Sequence, residues 1–230
     1  MDQILDGLIK ALQLIFSGDP RVIEITLRAL YVSSMAAIIA ALWGVPIAML
    51  IGLKDFRGKF LLKVIFNTLI GIPTVVLGLL LFLVLSKAGP LGLLGLLYTP
   101  TAIIIGEAFL ITPIIVSLAT TAIEAVDPEI MNVAKTLGAS ESQASIRVLK
   151  EALNGIFLAG VASFNRAIAE LGVAQMVGGS IFGTTEVLTT VISNETSKGD
   201  IPLAIALGLI LLILVFGINL ALNIIKRRRK

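Results

Sequence analysis

Three ionisable residues stand inside otherwise apolar stretches: Glu107, Arg166 and Glu170. A charge at membrane depth is costly, so such a group is either paired or part of a route for something polar. Arg166 and Glu170 are four residues apart, a spacing that lets guanidinium and carboxylate meet on one helix face. A structural pair that stabilises the bundle and a pair that lines or gates a path both fit this spacing. A second polar set follows at Gly178, Gly179, Ser180, Gly183, Thr184 and Thr185. Backbone N–H groups and hydroxyls there offer weak polar contacts without strong positive charge, and an irregular backbone at that depth is tolerable where it lines a cavity or is covered by protein. A plain extracytoplasmic loop is the other reading of the same residues.

Much other chemistry is excluded. The chain has no histidine and no cysteine, which removes the commonest general base, the commonest metal ligand and any thiolate site. Gly58-Lys59 is followed by Phe60 and lacks an upstream glycine, so there is no phosphate-binding loop. No catalytic set and no cofactor site are expected.

The elements that must position these residues are apolar. Of 230 residues, 57% are hydrophobic and only 14% charged, against about 25% in a soluble domain. Such a chain is expected to be an all-α membrane protein with five transmembrane helices, because only helices satisfy their own backbone in lipid without closing a barrel. The expected spans are 22–53, 60–85 with Pro73 inside, 97–123 interrupted by Glu107 and Pro113, 152–173, and 201–225. Residues 4–16 are too short to span and read as an interfacial helix, with Asp6 and Lys10 on its polar side. The domains are then 1–21 outside, 22–225 in the membrane with a polar loop at 124–151, and a basic tail at 226–230. The start Met1-Asp2-Gln3 lacks the basic region of a signal peptide, so the mature chain is expected to begin at Met1.

Charge asymmetry gives an orientation. Lys54, Arg57, Lys59 and Lys63, then Lys135, Arg147 and Lys150, then the tail, all fall on one side of a five-span chain. That side is expected to be the cytoplasm, with the N-terminus outside. A basic tail beside a span marks the membrane face rather than nucleic acid. Small residues recur four apart at Ala36, Ala40, Gly44 and Ala48, and again at Gly155, Ala159 and Ser163. They fit close packing inside the chain or a dimer face.

The polar loop predicts two short helices. Asp127 suits an N-cap, Pro128 the first helical position and Glu129 the positive dipole end. Gly138 ends the first helix. Ser140 with Gln143 fits a capping box that opens the second. Val133, Ala134 and Leu137 form an apolar stripe outside the membrane, which points to a protein partner.

Here the sequence resembles the permeases of ABC importers. Their cytoplasmic motif reads Glu-Ala-Ala, three residues, Gly, nine residues, Ile, one residue, Leu-Pro. Asn132-Val133-Ala134 holds the triplet, Gly138 the glycine and Val148 the isoleucine position, while Lys150 and Glu151 replace Leu-Pro. The segments from Val133 to Ser140, Val148 to Ala152 and Arg166 to Ile181 are similar to the tungstate-type permeases, as are Leu188-Thr189-Thr190, Glu195-Thr196 and Gly199-Asp200. Molybdate and sulfate permeases carry a related pattern, with Asn where Ser180 stands. The resemblance implies a type I ABC importer fold in a cell membrane. It also implies two permease copies, two ATPase subunits that bind ATP and Mg, and an external binding protein. Asn132, Val133, Ala134, Thr136, Leu137, Gly138, Ala139 and Ser140 would form the coupling helix for the ATPase. Tungstate is the expected cargo and molybdate or sulfate the alternatives. A stand-alone secondary transporter would need a coupling site of its own, usually in inverted repeats, and none is visible.

Overall fold

The computed structural model describes residues 2–228. The described residues fold as helices α1 (Asp2–Ser17), α2 (Pro20–Leu53), α3 (Lys59–Leu69), α4 (Thr74–Leu85), α5 (Pro100–Glu124), α6 (Pro128–Thr136), α7 (Glu141–Ile168), α8 (Leu188–Lys198) and α9 (Ile201–Arg228). A 3-10 turn lies at Gly92–Leu94 and a π-helical turn at Ala174–Gly178. Met1, Arg229 and Lys230 lie outside the described residues, so neither the expected start nor the end of the basic tail is placed.

Among the described residues three helices are long and apolar enough to cross a membrane: α2, α5 and the Ile201–Ala221 part of α9. A fourth is present only if α3 and α4 are taken together as one broken span. The expected single helix over 60–85 is therefore two. Proline lacks the N–H that a continuous helix needs at Pro73 and pushes the residue before it out of the helical region. By contrast, α5 runs unbroken through Glu107 and Pro113. The expected fourth span, 152–173, also differs. The helix opened by Ser140 runs on without a break as α7 and stops at Ile168. Asn154, Asn165 and Arg166 dilute its apolar character.

The chain forms two compact units. The first takes the chain up to Ser33, then Thr74–Gly106, then everything from Ile168 onward. In it α1 lies against α9, at a point where a Cβ on Gly7 would sit 2.8 Å from Ile205 Cδ1. Lys10 Nζ reaches Asp200 at 3.5 Å beside this contact. The α4 helix packs on the π-helical turn through Gly78, where a Cβ would come within 2.9 Å of Met176 Cβ.

The second unit holds Ser34–Pro73 and Glu107–Ala167. Its core is Ala48, Ala119, Ile123, Val148, Ala152 and Ala159, with Ile130 and Met131 packed against it. Both small-residue stripes are used inside the chain. Ala36, Ala40 and Ala48 are fully buried, and Gly44 faces Ile115 so closely that a Cβ would sit 2.9 Å from its Cγ2. Gly155 meets Ala122, and Ala159 and Ser163 are buried.

Candidate functional site

The coupling residues predicted from sequence form a capped, two-faced helix in the second unit. The Asp127 carboxylate accepts the Glu129 N–H at 2.9 Å, and Pro128 takes the first position. These satisfy or remove two of the N–H groups that a helix start leaves unpartnered. At the other end Gly138 takes φ +89°, and the Ala139 N–H reaches back to Ala134 O at 3.0 Å. That is a glycine-terminated stop in which an orphan carbonyl is recovered. The capping box is also present: Ser140 N–H donates to Gln143 Oε1 at 2.9 Å, and Gln143 N–H to Ser140 Oγ at 3.3 Å.

The two faces of α6 differ in kind. Ile130 and Met131 anchor it to the core, while Val133 is 54% and Leu137 83% exposed. Asn132 and Thr136 are exposed and Ala134 and Ala139 part-buried. The Thr136 hydroxyl turns back to Val133 O at 2.8 Å and caps its own turn. A groove of about 440 Å³ runs beside this face, lined by Asp127, Glu129, Ile130, Val133, Ala134, Leu137 and Arg147. Two large aliphatic side chains thus stand exposed beside this groove, on a segment capped at both ends.

The second set of predicted residues forms a tightly folded loop in the first unit. The α7 helix ends at Ile168, so Glu170 is not on the helix that carries Arg166. Glu170 is buried, and its carboxylate accepts the Val173 N–H at 3.2 Å, capping the turn that follows. Its carbonyl accepts the Thr189 hydroxyl at 2.6 Å.

The loop beyond uses most of its donors on itself. Thr185 Oγ donates to Gly178 O at 2.6 Å and accepts from Ile181 N–H at 2.8 Å. Thr184 and Thr185 N–H both turn to Ile181 O, and the Gly179 N–H to Gln175 O. The Asn194 amide holds Ser180 Oγ at 2.9 Å. Among the described residues only two non-glycine residues have positive φ, Tyr98 at 62° and Ser180 at 47°. Such conformations persist only where the surroundings over-determine them. The Tyr98 N–H donates to Val177 O at 2.8 Å, and its ring lies against Gly179, where a Cβ would be 2.8 Å away. The loop is thus a preformed object whose tip, Ile181 and Phe182, is exposed.

Glu107 and Arg166 belong to the second unit. Glu107 is 2% exposed, within α5.

Sequence reasoning missed the clamp on this loop. Arg28, only 12% exposed, donates to Gly183 O at 2.9 Å and Glu186 O at 3.1 Å, and pairs with Glu24. Arg21 pairs with Glu186 at 3.2 Å and Glu195 at 3.5 Å and lies 5.1 Å over the Phe182 ring. Both carboxylates are nearly buried, and Glu186 also accepts the Gly183 N–H at 3.3 Å. A signal was available. Arg21 and Arg28 are two helical turns apart on one face of α2, and an arginine just inside an apolar run needs a partner.

Residues 44–230 match the family described as binding-protein-dependent transport system inner membrane component. The chain is 41% identical over 219 residues to the tungstate uptake system permease protein TupB of Peptoclostridium acidaminophilum, covering 95% of this chain and 96% of that one. It is 40% identical over 202 residues, 86% of this chain and 87% of the other, to a probable anion ABC transporter permease protein of Haloferax volcanii. It is 35% identical over 227 residues, 99% and 95% of the two chains, to TupB of Campylobacter jejuni. With its several membrane-length apolar helices, the chain is a multi-pass membrane protein of the binding-protein-dependent transport system inner membrane component family.

Proposed function

We propose that this chain is the permease subunit of an ABC importer for tungstate, with molybdate or sulfate as the alternative cargo. It has no resident cofactor and no ATPase site. ATP and Mg belong to separate ATPase subunits, an external binding protein delivers the oxyanion, and a second copy of the chain completes the path. The cargo rests on the two tungstate permeases to which the chain is similar. The single observation that supports the mechanical role is α6, which is capped at both ends, anchored by Ile130 and Met131, and presents Val133 and Leu137 to solvent. Residues from Asn132 to Ser140 are the seat for the ATPase. Closure of the ATPase subunits on ATP pushes on α6 and rocks the spans between two states.

The path reading assigns Glu107, Arg166, Glu170, Gly178, Gly179, Ser180, Thr184 and Thr185 to the route or its gate. Because the N–H groups of Gly179, Ile181, Gly183, Thr184 and Thr185 already have acceptors, the loop's contribution to the cargo is shape and carbonyl or hydroxyl edges rather than a broad anion nest. Weak contact of that kind suits a site that must let go. The topology we favour has five spans, an interfacial α1, the N-terminus outside and α6 in the cytoplasm of a cell-membrane protein, as the Lys and Arg distribution favours.

The test is uptake into proteoliposomes that contain the chain, its ATPase and its binding protein, followed by elemental analysis for tungsten, molybdenum and sulfur. ATP-dependent tungsten accumulation is expected. Gly138→Val, which puts a β-branched residue at φ +89°, should abolish it while the protein still reaches the membrane. Normal uptake by that variant would overturn the assignment of α6.

A further inference from the structure

One carboxylate joins three elements of the second unit. Glu124 is the last residue of α5, and α6 begins at Pro128. The short link is not slack. Ala125 N–H donates to Thr121 O at 3.1 Å and Val126 N–H to Ile123 O at 3.2 Å, so helical bonding continues past Glu124. Val126 packs on the core. Glu124 Oε2 accepts Lys63 Nζ at 2.7 Å, and Oε1 lies 3.3 Å from Lys59 Nζ. Lys59 also reaches Asp55, in the turn between α2 and α3, at 3.2 Å. Further along, the Ser117 hydroxyl of α5 donates to Asn67 of α3.

The chemistry argues against a merely stabilising role. These side chains are part-exposed, and exposed ion pairs contribute little to stability. What the arrangement supplies is geometry. The start of α3 and the α2–α3 turn are tied to the end of the helix that carries α6. Any displacement of α6 along the α5 axis is then delivered to α3 at the same moment.

We infer that Glu124 is a positioning residue that transmits motion of α6 to α3 through Lys63 and Lys59. The inference rests on the proposal that α6 seats an ATPase. Its test is therefore read in the assembled complex, with ATPase and binding protein in proteoliposomes. In Glu124→Gln the ATPase subunit should still co-purify. Stimulation of ATP hydrolysis by loaded binding protein, and cargo moved per ATP, should fall by roughly three- to tenfold. Lys63→Glu should behave likewise, and the exchange Lys63→Glu with Glu124→Lys should recover most of the loss. A purely structural role would lower yield or thermal stability without changing cargo per ATP. If Glu124→Gln lowers membrane yield, Lys63→Gln carries the same comparison. Wild-type stimulation and stoichiometry in Glu124→Gln, or an exchange no better than its single variants, would overturn the inference. Failure of the wild-type chain itself to bind an ATPase would instead overturn the proposed function.

Discussion

Arg28→Ala removes a two-bond tie between α2 and the loop that follows the π-helical turn. The guanidinium donates to Gly183 O and Glu186 O at 2.9 and 3.1 Å from a side chain only 12% exposed. A hydrogen bond involving a charged group contributes about 1.5–3 kcal/mol. Water can reach Gly183 O once the side chain is gone, so the lower figure applies to each bond and the pair amounts to about 3 kcal/mol. That is roughly a hundredfold in the balance between docked and undocked loop. Arg28→Lys should recover less than half, because one ammonium cannot reproduce a planar fork reaching two carbonyls. Hydrogen exchange in nanodiscs reads this directly. The N–H groups of Gly183, Thr184 and Thr185 are bonded inside the loop, so their protection reports docking. Faster exchange over 183–187, with α8 and α9 unchanged, is the expected result. Exchange indistinguishable from the wild type would show that Arg21 and the loop's own bonds suffice, and the clamp argument would fail.

Leu137→Ser should leave thermal stability within about 0.5 kcal/mol, since the side chain is 83% exposed. It should nevertheless release the ATPase in a pull-down; retention at wild-type strength would refute the docking face. Gly78→Leu should destabilise by several kcal/mol in a thermal melt, because even a Cβ there meets Met176 Cβ at 2.9 Å and Gly172 O at 3.1 Å. A neutral result would mean that α4 can slide off the π-helical turn.

The loop from Glu124 to Glu151 was legible because its signals are local. Asp127, Pro128, Gly138, Ser140 and Gln143 each act within four residues of themselves, and every one plays its expected part. The breaks in the spans were less legible. Pro113 and Pro73 are the same residue type, yet α5 continues through one and the chain breaks at the other. Pro113 is buried among packed neighbours that hold the helix together, whereas Gly71 and Ile72 beside Pro73 offer the backbone an alternative. The end of α7 at Ile168 was less legible for a related reason. Leu171 and Val173 extend the apolar run past Ile168, while the Glu170 carboxylate accepts the Val173 N–H and opens the next turn. The clamp by Arg28 joins residues 155 and 158 positions apart, and no local pattern encodes such a pairing.

The Lys63–Glu124 contact links residues 61 positions apart, and that separation has a meaning during synthesis. At about 5–20 residues per second, Glu124 leaves the ribosome roughly 3–12 s after Lys63. Through that interval Lys59 and Lys63 have only Asp55 nearby and act with Lys54 and Arg57 as a concentrated positive block. Such blocks decide which way a span is threaded. On the proposed topology, the charge that orients the early helices is later quenched by the helix it helped to place. The same two lysines would serve first as an insertion signal and then as a fastener, and moving Glu124 ahead of them in the chain would set those duties against each other.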